Sequence, residues 1–352
     1  MEFRTKVAFA ILLLMALAGA GYAALTPGFT AVWTTSNYGI TLLVLLALLS
    51  LAASTVNGGL GYGYSSLSTP LAILVFANRI INPVYVGVEA ITNTTMLVLS
   101  GRENVKSTFR RVLPIVATLI PGVIVGSIIL SAVAPGWVRF VVYASILPLI
   151  LLQAAGVRRP IKSERRTGLP FGAGVGVLYA VTTVSGPPIA LFWNNQGLAK
   201  NEFRAAIAQI RIAESYTTLI TYYLLGLFTT TTLQLFSWIA PPVLLGIPLG
   251  IFIVKRVQVE TFRRICMSFD AWVVGYGLAV VLGSLFGLIS LGYAIWGLAI
   301  VIDVYLLYKF FKSSAYRKRF SVAEKTSPFA QTSPRPATNS VATEGSAARP
   351  DS

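Results

Sequence analysis

The 352-residue chain contains no histidine and a single cysteine, Cys266. Without histidine there is no imidazole base and no imidazole metal ligand. One thiol closes no internal disulfide and builds no Cys-based zinc site. Cys266 sits inside an apolar run and reads as a small packing residue. Charge is scarce as well, at 11% of residues. No GxxxxGK[ST] loop is present, which argues against an ATP-driven step within this chain. An intramembrane hydrolase or transferase would have to rest on Ser, Asp or Glu alone, and no convincing constellation of these occurs. No enzymatic activity, no metal and no cofactor are expected.

What the chain has instead is apolar length. Hydrophobic residues make up 55% of it, and many runs reach the roughly 18–20 residues that cross a hydrocarbon core. The expected fold is an all-α polytopic membrane protein, with the lipid bilayer as its solvent. The formal net charge of +16 would suggest nucleic acid in a soluble protein. Here the lysines and arginines cluster in short loops between apolar runs, so they read as orientation signals, and no nucleic-acid partner is expected.

In order, residues 7–25 form a first span after Arg4 and Lys6, read as uncleaved although its Ala-Gly-Tyr-Ala-Ala end resembles a signal-peptide cleavage site. With the uncharged loop 26–38 it makes a first unit, 1–38. A membrane repeat over 39–157 contains spans at 39–56, 84–100, 112–133 and 138–156 and a short segment at 67–79. A basic linker, 158–167, follows. A second repeat over 168–283 contains spans at 169–184, 204–225, 234–254 and 264–283 and a short segment at 187–197. The last span lies at 288–308 within a unit over 284–312. Residues 313–352, rich in Ser, Pro, Ala and Thr, have little to bury and read as a disordered cytoplasmic tail. The basic clusters predict a multi-pass protein of the cell membrane with both termini cytoplasmic. They agree with one another only if each short segment returns the chain to the face it came from, which makes the two repeats inverted. The sequence leaves open whether the chain forms a homo-oligomer.

The two short segments match at a constant offset. Ser65 corresponds to Thr182, Ser66 to Thr183, Ser68 to Ser185, Pro70 to Pro187 and Asn78 to Asn195. Upstream, Gly59 corresponds to Gly176 and Tyr62 to Tyr179. Each starts with hydroxyl residues and then proline, which predicts hydroxyl-capped helix starts, with Ser68 and Ser185 at the starts of two helices that approach each other. Paired Gly/Pro-interrupted segments in two halves of a membrane protein point to a transporter binding site; kinked helices without a ligand are the alternative. Further on, PGVIVG (121–126) matches GIPLG (246–250), and that GxxxG spacing reads as close helix packing.

These residues resemble the TauE/SafE sulfite-exporter family. The second half carries the resemblance most clearly, in SGPPIALFWNNQGLAKNEFRA (185–205) and GIPLG (246–250). The first half carries it in NGGLGYGYSSLSTP (57–70) and PGVIVG (121–126). The resemblance covers about residues 40–283. It departs where Tyr62 and Tyr64 interrupt the glycines of the first half. It implies a secondary transporter of a small anion: sulfite, an organosulfonate or a similar sulfur-containing or organic anion. A passive anion channel is the alternative, and an intramembrane enzyme a more distant one.

A small anion needs positive potential in a dry site. Two helix N-termini aimed at one point supply free N–H groups and partial positive charge. Ser65, Ser66, Ser68, Thr69, Thr182, Thr183 and Ser185 would add hydroxyl donors, and Gly186 would let the backbone approach. Charges inside spans are expensive and usually functional. Arg211, with Asn93 as a polar contact, would attract the anion, and Glu89 or Glu214 would couple its movement to protons. The structural alternative is an Arg211–Glu214 ion pair, since residues three apart share a helix face. Asp270 and Asp303 also lie in apolar runs, where they would pair with loop arginines. Gln209 and Asn194 are weaker polar candidates.

Overall fold

The structure is a computed structural model and describes residues 39–155, 163–194, 196, 198, 200–254 and 259–313. The expected first span at 7–25, the loop 26–38, Asn195 and the tail beyond 313 lie outside the described residues. Within them the chain folds into eleven helices. These are α1 (Ile40–Leu60), α2 (Tyr64–Val75), α3 (Asn78–Ser100), α4 (Arg102–Ala132), α5 (Pro135–Ala154) and α6 (Glu164–Thr182). They continue with α7 (Gly186–Asn194), α8 (Lys200–Leu224), α9 (Thr230–Val254), α10 (Val259–Phe286) and α11 (Ile289–Lys312). By length and composition, six of them are long and apolar enough to cross a membrane: α1, α4, α5, α9, α10 and α11. Helices α3, α6 and α8, also expected as spans, fall outside that set. They carry the buried charges, amides and glycines of the interior, which lower their apolarity without shortening them.

Burial is inverted relative to a water-soluble protein. Leu45, Leu48, Val125, Ile128, Leu245 and Val301 face outward, while Ser54, Asn57, Glu89, Arg211, Glu214 and Asp303 are buried. An apolar exterior around a polar interior is what a hydrocarbon solvent selects. The protein is a multi-pass membrane protein.

Two breaks interrupt the helices. Helix α1 ends at Gly61, whose φ of 84° is left-handed and whose N–H donates to Asn57 O at 2.7 Å. Gly63, at φ 107°, then opens α2. Side chains rarely adopt that backbone, so the glycines set the turn. The second break uses a non-glycine residue: Thr183 is left-handed at φ 59°. Thr182 Oγ1 supports it by accepting from Val184 N at 3.0 Å. Helices α2, of 12 residues, and α7, of 9, rise about 18 and 13 Å, well short of a hydrocarbon core of about 30 Å.

The start of α2 corrects one expectation. Ser68 does not open the helix; it lies in the second turn, and its hydroxyl donates back to Tyr64 O at 2.8 Å. The opening residue is Gly63, with no side-chain cap. Pro70 consequently sits in the helix interior, whereas Pro187 and Pro188 occupy the first turn of α7, as expected. The short segment also ends earlier than expected, at the extended Phe76, so α3 starts at Asn78 and carries Pro83 inside it.

Packing between the halves is reciprocal. Helix α1 packs on α9 and α4 on α6, so the first helix of each half lies against the fourth of the other. Helix α3 packs on α8, and α5 on α10. The GxxxG glycines explain the closeness of the first two pairs. A Cβ on Gly122 would lie 2.4 Å from Ala173 O, and one on Gly250 would lie 1.9 Å from Thr55 O. Both motifs therefore serve backbone packing.

Candidate functional site

The starts of the two short helices meet inside the bundle. Thr69 of α2 and Thr183 of the second break are hydrogen-bonded through their hydroxyls at 2.8 Å, and both are fully buried. Each short helix is also tied to an acid on the long helix after it. Ser65 donates to Glu89 Oε1 on α3. Ser185 donates to Glu214 Oε2 on α8 at 2.6 Å. Hydroxyls expected as caps are thus committed to carboxylates.

Arg211 does not pair with Glu214. Its Nη2 forms the ion pair with Glu89 Oε1, across the α3–α8 contact. Spacing put Arg211 and Glu214 on neighbouring positions of one helix, but the packing of α8 on α3 presents a different carboxylate to the guanidinium. Glu89 is the better-satisfied acid, because Tyr179 Oη also donates to its Oε2 at 2.6 Å. Asn93 locks the arginine from the side. Its Oδ1 accepts from Arg211 Nε at 3.2 Å, and its Nδ2 donates to Arg211 O at 3.3 Å. The third nitrogen, Nη1, points to the start of α7: it lies 3.3 Å from where a Cβ on Gly186 would sit, with the Tyr62 ring at 3.1 Å.

Each candidate therefore has a place. Ser65, Thr69, Thr183, Ser185, Gly186, Asn93, Arg211, Glu89 and Glu214 gather around the two helix starts. Ser66 is beside them, donating to Gly63 O at 3.1 Å. Thr182 and Ser68 are spent on the backbone, Thr182 donating to Leu178 O at 2.7 Å. Gln209 lies elsewhere, donating to Thr108 Oγ1 of α4 at 2.6 Å. Asn194's side chain lies outside the described ones. Asp303 pairs with Arg264 at 2.8 Å and also accepts from Trp272 Nε1, joining α10 to α11. Sequence reasoning missed two participants. Tyr62 and Tyr179 matched in the repeat register, and that match was their signal. Asn57, in the last turn of α1, has a fully buried amide without a hydrogen-bond partner. Glu214 Oε1 is likewise buried without a partner.

Two supports fix the outer ends of the short helices. Arg139 Nη2 donates to Phe76 O at 3.2 Å at the end of α2. Arg111 stacks 5.5 Å from the Trp193 ring, donates to Gln196 O at 3.2 Å and pairs with Glu164. Cations at helix C-termini satisfy the carbonyl end of the dipole and leave the N-termini pointing inward.

No group of His, Cys, Asp and Glu that could hold a metal occurs among the described residues. Comparison with curated proteins and with solved structures yields no match. A family model does match, that of the sulfite exporter TauE/SafE, over residues 45–276. This takes in both breaks, both short helices and the Glu89–Arg211 pair. Since the match spans well over half of the chain, the protein belongs to the sulfite exporter TauE/SafE family of membrane transporters.

Proposed function

We propose that the chain is a secondary transporter of a small anion, sulfite or an organosulfonate, bound where α2 and α7 begin. The observation that carries this reading is the direction of Arg211. Two of its nitrogens are committed to Glu89 and Asn93, and the third faces the start of α7 at Gly186. A guanidinium edge beside a helix N-terminus combines a full charge with free backbone N–H groups. The two repeats are inverted in this reading, so that α2 and α7 enter from opposite faces of the membrane. The reciprocal packing of the two halves supports that arrangement.

Charge balance favours proton coupling. Glu89 neutralises Arg211, so an anion at Gly186 would also meet Glu214, held by the adjacent Ser185. Like charges about 5 Å apart repel by about 3 kcal/mol at an effective dielectric constant of about 20. A proton on Glu214 removes that repulsion. Glu214 Oε1 has no hydrogen-bond partner to lose on taking one. Within this reading Glu214 carries the coupling proton and Glu89 remains the counter-ion.

The test is exchange by purified protein in liposomes, with sulfite, thiosulfate, sulfoacetate and acetate supplied on both sides. Saturable exchange accelerated by substrate on the far side marks a carrier. Flux without that acceleration marks a channel. Arg211→Lys should retain more exchange than Arg211→Gln, because lysine keeps the charge but not the fork. Equal loss in the two variants would remove Arg211 from the binding site.

A further inference from the structure

A second buried acid faces the helix starts from the other side. Asp270 of α10 lines a cavity of about 20 Å³ together with Tyr62, Gly63, Ser66, Gln153 and Pro187. That volume accommodates about one water molecule. The cavity lies between the start of α2 and the start of α7. Asp270 is 8% exposed, and its Oδ1 is buried without a hydrogen-bond partner.

The wall around Asp270 is rich in acceptors. Ser66 donates its hydroxyl proton to Gly63 O and also lies within hydrogen-bonding reach of Asp270, so its oxygen can accept from a protonated acid. Gln153 uses Nε2 on Pro187 O at 3.3 Å, which leaves Oε1 to accept as well. The remaining titratable groups on the wall are Cys266, on the same helix, and Tyr62; α1, α5 and α7 contribute none to it. Elsewhere on α10, Arg264 is committed to Asp303 of α11. Tyr143 of α5 meets α10 at Gly277, about two turns beyond Asp270. No cation among the described residues answers this carboxylate.

We propose that Asp270 is a second proton-carrying site of the transport cycle, binding a proton, with at most one water, in the cavity shared by the two helix starts. A buried carboxylate with no cation to answer it costs several kcal/mol, whereas a carboxylic acid donates to the acceptors already present. The wall offers at most five side-chain oxygens, two from Asp270 and one each from Ser66, Gln153 and Tyr62, fewer than the about six that a hard metal cation requires, so the site is assigned a proton and not sodium. Anion loading then draws protons from both sides of the helix starts, at Glu214 and at Asp270. This rests on the anion-transport reading for its role in the cycle, but not for the proton itself.

Two measurements test it. The first is a pH-difference infrared titration of the purified full-length chain. It should show a protonated-carboxyl band that is lost in Asp270→Asn, kept in Asp270→Glu and distinct from the band lost in Glu214→Gln. Identical bands in wild type and Asp270→Asn would overturn the proposal. If Asp270→Asn does not fold, Ser66→Ala substitutes for it: removal of the hydroxyl that adjoins the acid should shift the band, and an unshifted band counts against the site. The second compares sulfite uptake driven by a pH gradient with sulfite exchange in the same liposomes. Asp270→Asn should lose uptake relative to exchange, and a sodium gradient should not replace the pH gradient. An unchanged ratio, or sodium-driven uptake, refutes proton coupling at Asp270. Failure of wild type to exchange any anion would instead fail the transport reading, while the infrared band still decides whether Asp270 takes a proton.

Discussion

Replacing Glu89 by glutamine is the sharpest test of how the interior is held together. The substitution keeps the side chain's volume and removes its charge. Arg211, 2% exposed, is then left as a buried cation whose remaining side-chain partner is the neutral Asn93. Stranding one member of a buried ion pair costs about 3–5 kcal/mol. The glutamine also brings an NH₂ group to a place where Ser65, Tyr179 and Arg211 all donate, so at least one donor loses its acceptor. At about 2.1 cal/mol/K of unfolding entropy per residue, the ion-pair term alone predicts a melting point lower by about 4–7 °C in a chain of this size. Arg211→Gln should cost a comparable amount, because it leaves Glu89 buried with only hydroxyl donors. The double variant, Glu89→Gln with Arg211→Gln, should be more stable than the sum of the singles by about 0.5–3 kcal/mol. Thermal or denaturant unfolding of the four proteins in one detergent measures the cycle. The combination of Glu214→Gln with Arg211→Gln serves as control and should show a smaller coupling. Additive losses in the Glu89 cycle, or a Glu89→Gln protein that melts with wild type, would refute the reasoning.

Three further outcomes are expected. Gly186→Ala places a methyl 3.1 Å from Tyr62 and 3.3 Å from Arg211 Nη1; exchange should fall sharply while the melting point stays near that of wild type, and intact exchange would move the anion away from α7. Gly250→Ala and Gly122→Ala push a methyl into backbone at 1.9 and 2.4 Å, so each should destabilise the fold by about 1–3 kcal/mol, read by unfolding. Reporter fusions after Gly226 and after Lys312 should report outside and inside respectively; the same side for both would dissolve the inverted arrangement.

The sequence by itself determined whatever depends on near neighbours along the chain. Apolar length gave the membrane class, since a hydrocarbon solvent acts on every residue of a run. Glycine, threonine and proline placed both helix breaks within a few residues, because left-handed backbone and a missing N–H are local properties. The GxxxG spacing identified close helix packing for the same reason. The sequence did not determine which helix face meets which. Arg211 and Glu214 are near neighbours along α8, yet the partner of Arg211 is Glu89, 122 residues away. Only the docking of α8 against α3 decides that. Ser68 turns inward along α2 instead of opening it, because Gly63 rather than a hydroxyl sets the first turn. Asp270 looked like one more acid awaiting a loop arginine. Tertiary packing pairs Asp303 with Arg264 of α10 and leaves Asp270 facing a cavity. Charges in a low-dielectric interior are satisfied by whatever the fold brings within a few ångströms, and that distance is fixed by the fold, not by spacing along the chain.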